Sequence, residues 1–237
     1  MTEDQLVYSI REKLSQYADD SDFDNREILF EINLQRALYL RNLYNTRHRT
    51  IDPEVKQILC VPMIEASPSE CGCLETDCTV LRSKEPLPSL IELHDTNGIF
   101  YTGPADVGSK PFSYVSYIQA MFSGERTYSQ NTIYTFMNPN GHLFLKSKNP
   151  LNKMIDCIMV HAILEFPEEA AAYNNPNGSA CYDRSITKYP VKAHALAYIT
   201  ELVVQRLLFK LGIPVDRVND SSSELNSAGA TAPAKKE

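Results

Sequence analysis

The chain has 237 residues, a hydrophobic fraction of 43%, a charged fraction of 22% and a formal net charge of −7. That length and composition suit one globular domain with embellishments, and the acidic balance argues against tight gripping of nucleic acid. No run of about 18 apolar residues occurs, and the polar start Met1-Thr2-Glu3-Asp4 lacks the basic and apolar parts of a secretory signal. An intracellularly made, soluble chain is therefore expected, with its six cysteines reduced.

In chain order, Leu6, Ile10, Leu14 and Tyr17 recur at helical spacing and predict a helix over 3–17. An acidic break follows, in which Asp24 is placed to cap a second helix, with Glu27 as its reciprocal partner. That helix, over 25–44, carries apolar residues on most faces, including Ile28, Phe30, Ile32, Leu34, Leu38 and Leu43. Such a helix is expected to be buried on several sides, partly between subunits. Asp52-Pro53 reads as a cap and first helical proline opening one short turn.

Residues 58–165 read as β-rich. Ile58-Leu59-Cys60-Val61 suits a strand, and Asn138-Pro139-Asn140-Gly141 between two apolar runs predicts a tight hairpin. Met154 to Phe166 reads as one long strand, after which Pro167-Glu168-Glu169 starts a short helix. A long helix over 190–210 follows, with a polar stripe of His194, Tyr198, Glu201 and Gln205, stopped by Gly212 and Pro214. Residues 219–237 are low-complexity and predict an extended tail, disordered when free. The expected fold class is α+β: one domain over 1–218, a helical bundle of these three helices with a β-rich middle insertion.

Two patterns suggest metal chemistry. Asp20, Asp22, Asp24 and Glu31 occupy positions 1, 3, 5 and 12 of a calcium loop of the EF-hand kind. Asn25 stands where the turn glycine belongs, and Glu27 where an aliphatic residue belongs, so an acidic capping turn is the favoured reading. Cys71, Cys73 and Cys78, with Cys60 further off, are spaced irregularly for zinc, and thiols packed as small apolar groups are favoured. His48, His94, His142, His161 and His194 are scattered, and no phosphate loop, nucleophile elbow or zinc-protease motif occurs. No cofactor and no catalysis is expected; the alternative function is a calcium- or zinc-binding intracellular module.

Other features point to assembly. Residues 1–31 hold nine acids against three bases, and Arg36, Arg41, Arg47 and Arg49 follow as a basic stretch. A solvated face accounts for that segregation, and head-to-tail packing between subunits would also use it. Phe112, Tyr114, Tyr117 and Phe122 cluster in one segment, as in a core or an oligomer contact.

The stretch Asp22-Phe23-Asp24-Asn25-Arg26-Glu27-Ile28 and then Arg36-Ala37-Leu38-Tyr39-Leu40-Arg41 resembles the opening of a phage structural-protein family. Ile51-Asp52-Pro53 with Gln57, the cysteine loop before Val80-Leu81-Arg82-Ser83, and Pro86-Leu87-Pro88 extend the resemblance. So do Tyr189-Pro190-Val191, Pro214-Val215-Asp216 and Asn219-Asp220. The family is that of the head-to-tail connector, or ring, proteins of podovirus-type phages, including crAss-like phages. The resemblance implies a helical adaptor made in the bacterial host cytoplasm and located in the virion neck. It implies a ring, commonly of twelve copies, below the portal protein and against the next ring or tail protein, extending the DNA channel. DNA would pass without sequence-specific binding and no membrane would be involved. Arg36, Arg41, Arg47 and Arg49, with Asn219, Asp220 and Leu225 of the tail, are the candidate contacts. The family supplies no catalytic residues to carry over.

Overall fold

The computed structural model describes residues 1–17, 23–47, 50–67, 79–93, 97–104, 110–123, 131–149, 154–174 and 178–211. Helix α1 spans Glu3–Tyr17 and buries Leu6, Val7, Ile10 and Leu14 along one stripe. It is started by a capping box. Thr2 Oγ1 accepts from the Gln5 amide at 3.4 Å, and Gln5 Oε1 accepts from the Thr2 amide at 3.1 Å.

Helix α2 spans Asn25–Arg47. Its inner row steps by four residues through Ile28, Ile32, Arg36, Leu40 and Tyr44, all buried. Asp24 accepts at its start from the Arg26 amide at 3.3 Å. Glu27 does not return the cap: its carboxylate reaches across to Lys210 at 3.0 Å. A 3-10 turn at Pro53–Val55 follows, with Asp52 at its cap position but forming no side-chain cap bond.

Seven strands make one sheet in the order β3-β7-β1-β2-β6-β5-β4. They are β1 (Gln57–Glu65), β2 (Thr79–Ser83), β3 (Ile99–Gly103), β4 (Ser113–Tyr114), β5 (Tyr134–Met137), β6 (Leu143–Ser147) and β7 (Cys157–Ala162). Every pairing is antiparallel except that of β4 with β5. Strand β1 belongs to both halves of the sheet: Gln57–Pro62 pairs with β7, and Met63–Glu65 pairs with β2. The two ends of the sheet then approach each other. The Phe112 amide donates to the Thr102 carbonyl at 2.8 Å. Thr102 and Thr135 join β3 to β5 through a buried hydroxyl pair at 2.7 Å. The result is a nearly closed barrel.

Alternation along the strands fills that barrel. Leu59, Val61 and Met63 of β1, Leu143 and Leu145 of β6, and Ile158, Val160 and Ala162 of β7 form its core, with Leu81 and Ile99. The hairpin predicted at Asn138–Gly141 joins β5 to β6, with Gly141 at φ +78°. A short helix α3, Tyr117–Phe122, lies over the outer face of this hairpin. There Ala120 packs on Phe136 and Phe144, whose rings stack at 5.5 Å.

The last helix, α4, spans Ala193–Lys210 and packs against both α1 and α2. Ala195, Ile199, Val203, Val204, Leu207 and Leu208 enter the helical core, and the predicted polar stripe faces outward. The expectation of a helical bundle carrying a β-rich insertion is overturned. The strands form a barrel with its own core, of comparable extent to the helical core. The predicted strand 154–166 is also shorter, because Ile163 and Leu164 leave β7 and divide between the two cores.

Residues 90–93, 97–98 and 163–164 form the seam. The Ile91 amide donates to the Ile163 carbonyl, and the Ile163 amide to the Gly98 carbonyl, both at 3.0 Å. Gly98 has φ +80°, and a Cβ there would stand 2.8 Å from the Ile91 carbonyl oxygen. Only glycine meets both conditions.

Candidate functional site and assembly surfaces

Arg36, a candidate surface contact, lies at the seam with 0% of its surface exposed. Its Nη1 donates to the Leu164 carbonyl at 2.7 Å and its Nε to the Pro190 carbonyl at 3.1 Å. The guanidinium sits 5.6 Å from the Tyr189 ring centre, and the Tyr189 hydroxyl donates to Asn33 at 2.8 Å. Burial pulls the guanidinium below its usual pKa, with Tyr189 and Tyr182 acting the other way. One side chain thus fastens α2 to the barrel exit and to the approach of α4.

Carboxylates on α1 and α2 are committed in the same way. Glu3 is fully buried, accepts from the Tyr182 hydroxyl at 2.8 Å and meets Arg184 at 2.6 Å. Burial raises its carboxyl above the usual range, against the opposing effects of Tyr182 and Arg184. Glu31, the last expected ligand of the calcium loop, is buried within α2 and meets Lys210 at 2.9 Å and Arg206 at 3.7 Å. The helical periodicity that puts Glu31 beside α4 turns it to those cations. Asp24 stays at the start of α2, while Asp20 and Asp22 fall outside the described residues. Cys71, Cys73 and Cys78 fall outside as well, as do Arg49, the Arg47 side chain, His48, His94 and the tail residues Asn219, Asp220 and Leu225. Among the described residues, no three His, Cys, Asp or Glu side chains converge as a metal site.

Among the described residues, two exposed surfaces with apolar side chains differ in kind. The first is α3. Segment 111–123 contains no charged residue, and Ile118, Met121 and Phe122 are 69%, 55% and 75% exposed. The helix is firmly held despite its length. Ser116 and Gln119 form a capping box, and Lys146 Nζ donates to the Ala120 carbonyl at 3.0 Å and the Met121 carbonyl at 3.3 Å. Tyr117 and Phe122 belong to the aromatic cluster noted in the sequence, but Ile118 and Met121 were missed. Their signal was the box Ser116-x-x-Gln119 followed by an uncharged turn.

The second surface is a groove of roughly 610 Å³ between α2 and α4, lined by Leu38, Tyr39, Leu43, His194, Tyr198 and Leu202 among others. Tyr39 and Tyr198 meet across it with ring centres 5.9 Å apart. Arg41 lines an adjoining cleft on the other flank of α2, together with Glu92 and Glu165. His142 is bound to Ser83, with Nδ1 3.0 Å from the carbonyl oxygen, and His161 packs 4.9 Å from the Tyr101 ring. No described helix is long and apolar enough to cross a membrane.

A family model described as phage tail ring protein 2 matches residues 5–226. The chain belongs to this family. The resemblance drawn from the sequence motifs is thereby borne out, and the protein is a structural component of a bacteriophage virion of the ring-protein type. A similar relative is Ring protein 2 of Bacteroides phage crAss001, 26% identical over 230 residues, covering 96% of this chain and 100% of that one.

Proposed function

We propose that this ring-family chain forms a homo-oligomeric ring in the phage neck, below the portal and against the next ring or tail protein, and extends the channel for DNA. Membership of the ring family over nearly the whole chain carries the reading. Subunits pack head to tail, with the uncharged α3 surface and the α2–α4 groove on different sides of the contact. Aromatic residues and Met in charge-poor surroundings are the composition of interface cores. Arg41, Arg47 and Arg49 supply polar rim contacts, and the segment bearing Asn219, Asp220 and Leu225 docks on a neighbouring protein. The net charge of −7 keeps passing DNA from adhering. The role is mechanical, and twelve copies is the number that the connector resemblance implies.

Quantitative mass spectrometry of purified particles tests this. The chain is expected at a fixed ratio close to that of the portal protein. Its absence from particles overturns the reading.

A further inference from the structure

Cys60 and Cys157 lie on adjacent strands, and their positions follow from the register. In the β1–β7 ladder Cys60 is opposite Met159, and Cys157 is opposite Pro62, so the two cysteines are diagonal neighbours on one face. Alternation turns that face outward: Leu59, Val61, Ile158 and Val160 fill the barrel, while Cys60 and Cys157 point away from it. The right-handed twist of paired strands closes one diagonal, and here the two Sγ atoms stand 2.9 Å apart.

Both residues line a cleft of roughly 970 Å³, with Pro62, Lys84, Pro86 and Tyr173 among its other walls. Cys60 is buried and Cys157 is half-buried, so a small molecule in the cleft reaches Cys157 first. Burial and the contact with Cys157 push the Cys60 thiol up to about 12.

We propose that Cys60 and Cys157 are a disulfide-forming pair, oxidised by exchange with a small-molecule disulfide that enters this cleft. The Cys157 thiolate attacks one sulfur of the reagent, forms a mixed disulfide and expels the first thiolate. Cys60 then gives up its proton, attacks the Cys157 sulfur, forms the Cys60–Cys157 bond and expels the second thiolate. Two cysteine thiols are oxidised by two electrons, the reagent is reduced to two thiols, and the two cysteine protons end on those thiols. The bond staples β1 to β7, the two strands next to the seam. Its biological timing rests on the virion role: thiols stay reduced in a cytoplasm, whereas a virion surface is a setting where disulfides persist.

The experiment treats the purified full-length chain with oxidised glutathione, alkylates the remaining thiols and maps peptides without reduction. The expected product joins the Cys60 peptide to the Cys157 peptide and removes two alkylatable thiols. In Cys60→Ser, a glutathione adduct is expected to remain trapped on Cys157. The proposal is overturned if Cys60 and Cys157 both stay alkylatable, or if either links instead to Cys181 or to another cysteine. These results need no other phage component, so they stand apart from the ring assignment. Mapping released particles then tests the timing, and reduced Cys60 and Cys157 there would remove the virion role of the staple.

Discussion

The helical unit and the barrel are stabilised by different means. In the helical unit, charged groups are buried among apolar side chains: Glu3, Glu31 and Arg36 each reach a named partner on another element. The polar side chains buried in the strands of the barrel are neutral: Gln57, Ser83, Thr102, Thr135 and Ser147. The barrel therefore depends on apolar packing and a hydroxyl closure, whereas the helices are fixed by polar bonds that accept one arrangement. A buried cation held by two backbone carbonyls is costly to misplace, because each carbonyl left unbonded loses stability. The seam is consequently the best specified part of the molecule.

The largest expected loss comes from removing the pin. Arg36→Ala leaves a cavity and two buried carbonyls without a donor, and should cost on the order of 4 kcal/mol in urea denaturation. Next come matched truncations in the two cores. Leu145→Ala in the barrel and Ile199→Ala in the helices should each cost about 3 kcal/mol. Both variants are expected to unfold in one transition, because the seam couples the cores. Two separate transitions would break that picture.

Gly141→Ala, at a positive φ in the β5–β6 hairpin, should cost about 1–2 kcal/mol and report on the barrel alone. Glu3 sharpens the contrast through pH. Its folded carboxyl binds a proton more tightly than the unfolded one, whose usual pKa is 4.5. Ionisation therefore opposes folding, and the stability that the Glu3 carboxyl contributes falls as pH rises from 4.5 through the raised folded value. Glu3→Gln should gain stability relative to the natural chain over that range, measured by melting at several pH values.

The smallest effect on stability is expected at α3. Ile118→Ser with Phe122→Ser should change unfolding by less than about 0.5 kcal/mol per site, since both side chains face solvent. The same variant should fail to enter particles. Full incorporation would remove α3 from the proposed subunit contact.

The sequence by itself determined the local pieces. Steps of four residues through Leu6, Ile10 and Leu14 marked α1, apolar residues on most faces after Asp24 marked α2, and the polar stripe from His194 to Gln205 marked α4. Asn140-Gly141 marked the hairpin, and the motifs spread over the chain marked the family. The helix and hairpin signals each lie within a few residues, where backbone geometry alone relates them. Tertiary structure decided the rest. It closed the strands into a barrel through Thr102 and Thr135, which are 33 residues apart. It turned Arg36 from a surface charge into an internal pin on Leu164 and Pro190, and it set Cys60 beside Cys157 across 97 residues. Periodicity shows which face of an element is apolar, but register and twist between distant strands choose its neighbour. That choice depends on the joint packing of both cores, which no local spacing encodes.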